Sequence, residues 1–164
     1  MVKVLGSLLI LAGGVLVRRA RLAERRQKSD TLSDLLTALR RMSEEIRMAR
    51  TPLPPLLSSL GASCKSAGGL FCGAAAALAS GEGLSTAWGR GVDGLPLSPR
   101  DRSVLSALGD DLHGDEESVC KAISLVIYEL TKSREDLEKD RQAEEKRTTA
   151  LCFSAAALLV ILLI

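Results

Sequence analysis

The stretch LSDLLTALRRMSEEIRMA, residues 32–49, decides the fold of this chain. Its apolar residues recur at alternating spacings of three and four, which is the period of one face of an α-helix. Charged residues occupy the other faces, so the pattern predicts a long amphipathic helix that packs on a core. The predicted buried stripe contains Leu32, Leu35, Leu39, Met42, Ile46 and Ala49.

The limits of this helix are indicated by the residues around it. Ser29 and Asp30 could cap its start, but the arginine-rich run before them is also typical of a helix, so it could continue from the N-terminal segment. Thr51-Pro52 ends it, because the residue before a proline avoids the α conformation. We expect Thr51 to cap a second helix with Pro52 at its first position, and Gly61 to end that helix.

Three more helices are predicted in the middle of the chain. The apolar run at residues 70–79 is too short to span a bilayer and predicts a buried helix. Trp88 lies on a short helix that Ser85 or Thr86 opens. Ser98-Pro99 is a natural start for the next helix, in which Val104, Leu105, Leu108 and Leu112 share a face and Gly109 and Gly114 interrupt the pattern.

A last helix is expected from about Asp115, with Glu116 and Glu117 in its first turn, where acidic side chains complement the helix dipole. No alternating strand pattern of useful length occurs, so the fold class is all-α, with a bundle of five or six helices between the two ends. The predicted apolar stripe of the last helix contains Val119, Ile123, Val126, Ile127, Leu130 and Leu137.

Both ends of the chain have the composition of membrane helices. Residues 1–17 carry one charge, Lys3, and would form a helix about 25 Å long, at the short end for crossing a bilayer. Residues 148–164 carry no charged side chain and are apolar on every face towards the end. A secretory signal peptide is the alternative at the N-terminus, but the basic cluster follows the apolar run and no small-residue cleavage site ends it.

The basic residues set the expected topology. Arg18 and Arg19 follow the first apolar segment, and Lys146 and Arg147 precede the second. Because lysine and arginine stay on the cytoplasmic side, both flanks are expected to face the cytosol. The predicted domains are an N-terminal transmembrane helix at 1–17, a cytosolic α-helical bundle at 18–147 and a C-terminal transmembrane helix at 148–164.

The composition excludes several functions. Aromatic residues are 2% of the 164 residues and the formal net charge is +2, which disfavours nucleic-acid binding. One histidine and no C-x-x-C pair leave no zinc or redox motif, and no phosphate-binding loop occurs. The cysteines are typical of a reducing compartment. We therefore predict no enzyme activity, no cofactor and no metal.

A few polar or aromatic residues are functional candidates. Acids surround His113 between Asp110 and Glu117, where a metal site or an Asp110/Asp115 acid–base couple could be drawn; acids at the N-terminus of a helix are the simpler interpretation. Trp88 is interpreted as an anchor between helices, with an exposed partner hot spot as the alternative.

The whole arrangement resembles the stage III sporulation protein AB family of endospore-forming bacteria. The resemblance rests on the basic exit from the first apolar segment, LxxALRRMSEEI at 35–46, TPLPPLL at 51–57, LFCGAAAAL at 70–78, the Ala87-Trp88 pair, LSALGDDLHGD at 105–115 and the apolar tail. One departure is Val119, where the family usually has a glutamine about four residues after the aspartate that matches Asp115.

The resemblance implies a platform in the membrane of the mother cell, part of the sporulation channel to the forespore. Its helical domain would be similar to those of the inner-membrane platform protein of type II secretion. The implied partners are the sporulation ATPase, stage III sporulation protein AA, and other products of the same operon, with the oligomeric state left open. The residues expected to contact partners or define turns are Glu44, Glu45, Arg47, Thr51, Pro52, Trp88 and Asp115.

Two other classes of function remain as alternatives. A small pore-forming or holin-like membrane protein would need polar side chains lining its membrane helices. The candidates are Ser7, Thr148, Thr149 and Ser154. A hydrolase would use the acids at 110–117, but no catalytic motif accompanies them.

Overall fold

A computed structural model of the chain describes the backbone of residues 2–49 and 51–163 and the side chains of 22–48 and 51–142. It shows six helices, and the described backbone has no strand, so the all-α prediction is confirmed. The helices are α1 Val2–Ala49, α2 Leu53–Ser63, α3 Gly68–Ser80, α4 Leu84–Asp93, α5 Pro99–Asp111 and α6 Glu116–Leu163.

The predicted stripe of α1 forms one wall of the core. Leu32, Leu35, Leu39 and Met42 are fully buried, and Ile46 packs against them half-buried, while the side chain of Ala49 lies outside the described residues. Helix α1 passes through Ser29 and Asp30 without a break, so this helix continues from the N-terminal segment and is not capped there. The amphipathic pattern therefore predicted the buried face correctly.

Helix α6 packs against α1 and runs in the opposite direction. Val119, Ile123, Val126 and Leu130 are buried, as the stripe predicted, while Ile127 and Leu137 are half-buried against the core. Ser43 and Arg47, close to the end of α1, line the same groove as the first turns of α6. The end of α1 and the start of α6 thus lie at the same end of the bundle.

The four short helices connect α1 to α6 as a chain of neighbours, in which each helix packs on the next. Trp88 is at their centre, fully buried, with its ring edge-to-face against Phe71 at 5.7 Å between centroids. Its indole N–H donates a hydrogen bond of 2.8 Å to the Leu105 carbonyl. Trp88 therefore joins α3, α4 and α5, and its interpretation as an anchor between helices is confirmed.

Two glycines that the sequence suggested as helix breaks lie inside helices. Gly61 is buried within α2, where an added Cβ atom would clash with Cys72 Sγ, and Cys64 follows the last helical residue instead. Gly109 is buried within α5, where a Cβ atom would be 2.8 Å from Trp88 Cδ1. Both glycines allow neighbouring helices to approach closely, so the prediction that they interrupt helices was wrong.

The predicted caps had mixed outcomes. Ser98 caps α5 by accepting a hydrogen bond of 3.2 Å from the Asp101 amide, as expected. Thr51 does not cap α2, which begins after Pro52 without a side-chain cap. Ser85 and Thr86 do not open α4, because Gly83 precedes its first residue. The first turn of α2 contains prolines, which have no N–H group that needs a cap, and glycine is a common N-cap residue at the start of α4.

No helix in the part of the chain with described side chains is long and apolar enough to cross a bilayer. The two predicted membrane segments, residues 1–17 and 148–164, lie outside those residues. The polar positions that the pore alternative requires, Ser7, Thr148, Thr149 and Ser154, lie outside them as well.

Candidate functional site

The end of α1 and the start of α6 line a groove of about 680 Å³ that is open to solvent. We call it the distal groove, because it lies at the end of the bundle away from both chain termini. The fold brings Arg47 and Asp115, which are 68 positions apart in the sequence, to the same surface. The groove is lined by Ser43, Arg47, Asp115, Glu116, Glu117, Cys120, Lys121 and Ser124.

Asp115 caps α6 at the edge of this groove. Its carboxylate accepts hydrogen bonds from the Ser118 hydroxyl at 2.6 Å and from the Ser118 amide at 3.4 Å. These bonds favour the charged form and lower the pKa of Asp115 below its usual value. Glu116 and Glu117 occupy the first turn of α6, as predicted. The start of α6 therefore carries a cluster of negative charges, and Lys121 partly neutralises it through an ion pair of 2.7 Å with Glu117.

The turn after α1 holds three more of the predicted residues. The Thr51 hydroxyl donates a hydrogen bond of 3.2 Å to Glu45 Oε2, and Pro52 precedes the first residue of α2. Thr51 therefore stabilises the turn by binding back to α1 and has a different role from the predicted cap. Glu45, Thr51 and Pro52 shape the turn, whereas Glu44 and Arg47 are exposed beside it.

Met48 is an exposed apolar residue beside the distal groove that the sequence analysis missed. It is 89% exposed next to Arg47, the largest exposure among the large apolar residues with described side chains. Its position between the predicted stripe residues Ile46 and Ala49 was the available signal, because it falls off the buried face of α1. An exposed methionine among charges is typical of an adaptable protein contact.

Trp88 does not belong to this surface. Its ring is fully buried between α3 and α5, so no partner can reach it without opening the core. The alternative interpretation, an exposed hot spot, is therefore wrong, and Trp88 leaves the set of candidate contact residues.

The acidic region around His113 has structural partners. The Ser85 hydroxyl donates a hydrogen bond to Asp110, while Asp115 is held by Ser118. Within residues 22–48 and 51–142, no three histidine, cysteine or acidic side chains are grouped to hold a metal. The two carboxylates of the suggested acid–base couple thus have separate roles at the helix ends.

Comparison with protein families gives a match along nearly the whole chain. The family model described as stage III sporulation protein AB matches residues 3–164. The chain belongs to this family. A comparison with curated proteins found no match.

A solved structure of a stage III sporulation protein AB is similar to this fold. It has 25% sequence identity and a TM-score of 0.65, and the match covers 71% of this chain and 98% of that chain. The family model and this solved structure both confirm the resemblance found in the sequence, and the chain is a sporulation-related component. Val119, the departure noted in the sequence resemblance, is buried near the start of α6 and contributes to the core.

Proposed function

We propose that this chain is a non-enzymatic platform that docks the sporulation ATPase, stage III sporulation protein AA, to the membrane of the mother cell. Membership of the stage III sporulation protein AB family supports a role in sporulation. The observation that carries the docking proposal is the distal groove, which places the charges of Arg47 and of the start of α6 together at the end of the bundle away from both termini, next to the exposed Met48.

The two long helices suit a membrane-anchored domain. Because α1 and α6 run in opposite directions, their terminal segments, 1–17 and 148–164, leave the bundle at the same end. We propose that both segments cross the membrane and that the basic flanks keep the bundle in the cytosol. At 1.5 Å per residue, Arg47 would be about 45 Å along α1 from the end of the first segment, within reach of a cytosolic partner.

The distal groove has the composition of a protein contact. Arg47 and the acids at the start of α6 line it with charge, and Met48, the next residue along α1, is an exposed apolar side chain beside it. Interfaces combine an apolar anchor with a charged rim that orients the partner. Other products of the same operon would then assemble around the same platform in the membrane.

Capture of the purified ATPase by the full-length chain in detergent micelles tests the docking surface. We expect Met48→Ala and Arg47→Glu to weaken capture at least tenfold, because each removes a side chain of the proposed docking surface. Both side chains are exposed, so these substitutions should not disturb the fold. The paired reversal Arg134→Glu and Glu135→Lys, at exposed positions further along α6, is the matched control and should leave capture unchanged. If the Met48 and Arg47 variants capture the ATPase as well as the unaltered chain does, this surface is excluded as the docking site.

Reporters inserted in the exposed turns test the orientation. Positions 82, 94 and 113 are exposed and lie in the turns before α4, α5 and α6, so an inserted reporter would interrupt no helix. We expect all three to report the cytosol. A signal from the other side of the membrane at any of them would contradict the proposed topology, whatever the outcome of the capture experiment.

A further inference from the structure

The face of α6 that points away from the core carries two exposed apolar residues. Leu125 is 63% exposed and Tyr128 is 64% exposed, and their spacing of three places them side by side on the helix. Tyr128 is the one tyrosine of a chain in which aromatic residues are 2% of the total. Single exposed apolar residues are ordinary, but an adjacent leucine and tyrosine at such exposure form a contact patch.

Lysines bracket this patch along the helix. Lys121 lies four residues before Leu125, and Lys132 lies four residues after Tyr128, so all four residues share one face. Lys121 pairs with Glu117, but both side chains are about three-quarters exposed, and such a pair contributes little. We call Lys121, Leu125, Tyr128 and Lys132 the outer face of α6; Lys121, at its N-terminal end, also lines the distal groove. Glu135 and Lys139 continue the same spacing towards the C-terminal end.

The rest of the bundle packs on other sides of α6. Val119, Ile123, Val126 and Leu130 are buried on the opposite side of the helix from the outer face. Helix α5 is joined to α6 at its flank, where Arg100 and Glu129 form an ion pair at 2.7 Å. The outer face is therefore left open by the fold.

We propose that the outer face of α6 binds an amphipathic helix of another protein, in which two apolar residues are flanked by carboxylates. Leu125 and Tyr128 would pack on the apolar pair, and Lys121 and Lys132 would each face an acidic side chain. The lysines are eleven residues apart and lie at equal distances on either side of the apolar pair. Their positions therefore define where the partner helix would lie and where it would carry its acidic side chains.

The same charges oppose self-association through this face. In an antiparallel pair of α6 helices, Leu125 would meet Tyr128 and Lys121 would meet Lys132 of the second copy. In a parallel pair, each lysine would meet its own equivalent. Both arrangements bring like charges together, which is destabilising. The acidic helix of a different protein lacks this penalty.

A lipid surface fits less well. Tyr128 lies 20 residues before the predicted membrane segment at 148–164, which is about 30 Å along a helix. This step alone rests on the proposed membrane orientation, which the turn reporters test separately.

Crosslinking in the sporulating bacterium tests the proposal on the full chain. A photoreactive phenylalanine derivative replaces Leu125 or Tyr128, and the peptides attached to it are sequenced. We expect adducts with one segment of another protein, with apolar residues at helical spacing and Asp or Glu on both sides. The same derivative at Arg134, an exposed residue about a third of a turn from Tyr128 and half a turn from Leu125 around α6, is the control and should not give these adducts.

Charge variants complete the test. With the derivative at Tyr128, Lys121→Glu together with Lys132→Glu should lower the adduct yield at least fivefold, whereas Lys121→Arg with Lys132→Arg should keep it. Circular dichroism of the purified variants checks that the helices are retained. Adducts with lipid, with a second copy of the chain or with a segment without acidic residues would overturn the proposal, as would a yield no higher than at Arg134.

Discussion

The indole N–H of Trp88 on α4 donates a hydrogen bond of 2.8 Å to the main-chain carbonyl of Leu105 on α5. Both residues are fully buried, and the Trp88 ring also meets Phe71 of α3 edge-to-face. One side chain therefore joins three helices that are consecutive in the sequence. This contact holds the middle of the bundle in place between α1 and α6.

Trp88→Phe tests this contact. The smaller ring loses the hydrogen bond to Leu105 and leaves a cavity, so we expect the free energy of unfolding to fall by about 2–3 kcal/mol. Urea unfolding of the full-length chain in detergent, followed by circular dichroism, measures it. Tyr128→Phe removes a hydroxyl at an exposed site and should change the same quantity by less than about 0.5 kcal/mol. Equal stability of Trp88→Phe and the unaltered chain would contradict the proposed anchor.

Two glycine substitutions should have opposite effects. In Gly109→Ala the new Cβ would lie 2.8 Å from Trp88 Cδ1, and such overpacking is expected to destabilise by roughly 1–3 kcal/mol. At Gly73, inside α3, an added methyl group would have no neighbouring atom within 4 Å, so Gly73→Ala should stabilise by about 0.5–1 kcal/mol. Urea unfolding monitored by the fluorescence of Trp88 compares them. Equal changes in both variants would show that helix propensity, and not packing, governs Gly109.

The sequence predicted the helices well because their evidence is local. Spacings of three and four along α1, α5 and α6 fall on buried faces, and Leu32, Leu105 and Val119 are all in the core. The helix start at Ser98-Pro99 is local too, since a hydroxyl and a proline act on the neighbouring turn. Such features need no knowledge of the tertiary structure.

The features that the sequence did not predict depend on distant contacts. A glycine is compatible both with a helix end and with close packing of two helices, and only the neighbours of Gly61 and Gly109 distinguish these roles. The distal groove forms because α1 and α6 are antiparallel. The sequence could therefore indicate Arg47 and Asp115 as separate candidates, but it could not predict that they lie on the same surface. The buried Asp101 was missed, although Ser98-x-x-Asp101 has the spacing of a capping box.

Asp101 should be a large contributor to the α5–α6 contact. It is 4% exposed, and its carboxylate accepts hydrogen bonds from the hydroxyls of Ser98 at 2.7 Å and Ser133 at 2.5 Å. Asp101→Ala leaves both hydroxyls without this acceptor and should lower the free energy of unfolding by roughly 2–3 kcal/mol. Ser103→Ala, at an exposed position of α5, is the control and should have little effect.

A double-mutant cycle separates the Asp101–Ser133 bond from other effects of the substitutions. If the bond links α5 to α6, Ser133→Ala should cost about 1 kcal/mol alone and much less in the Asp101→Ala background. Urea unfolding of the four proteins gives the coupling energy. Additive losses would show that the two side chains act independently.

The capping of α6 by Asp115 should depend on pH. Hydrogen bonds from Ser118 hold the pKa of Asp115 below its usual value, so the carboxylate is favoured in the folded protein. A group whose pKa is lower when folded stabilises the protein above its unfolded pKa, here about 3.9, and this stability is lost as the pH falls through the folded value.

Asp115→Asn keeps a capping oxygen but does not titrate. The difference in melting temperature between the two proteins should therefore be constant near neutral pH and shrink below about pH 4. Thermal unfolding by circular dichroism at pH 3–7 measures it, and Ser118→Ala, which removes the hydroxyl donor, should move the change to higher pH. A difference that stays constant down to pH 3 would show that the charge of Asp115 does not contribute to the cap.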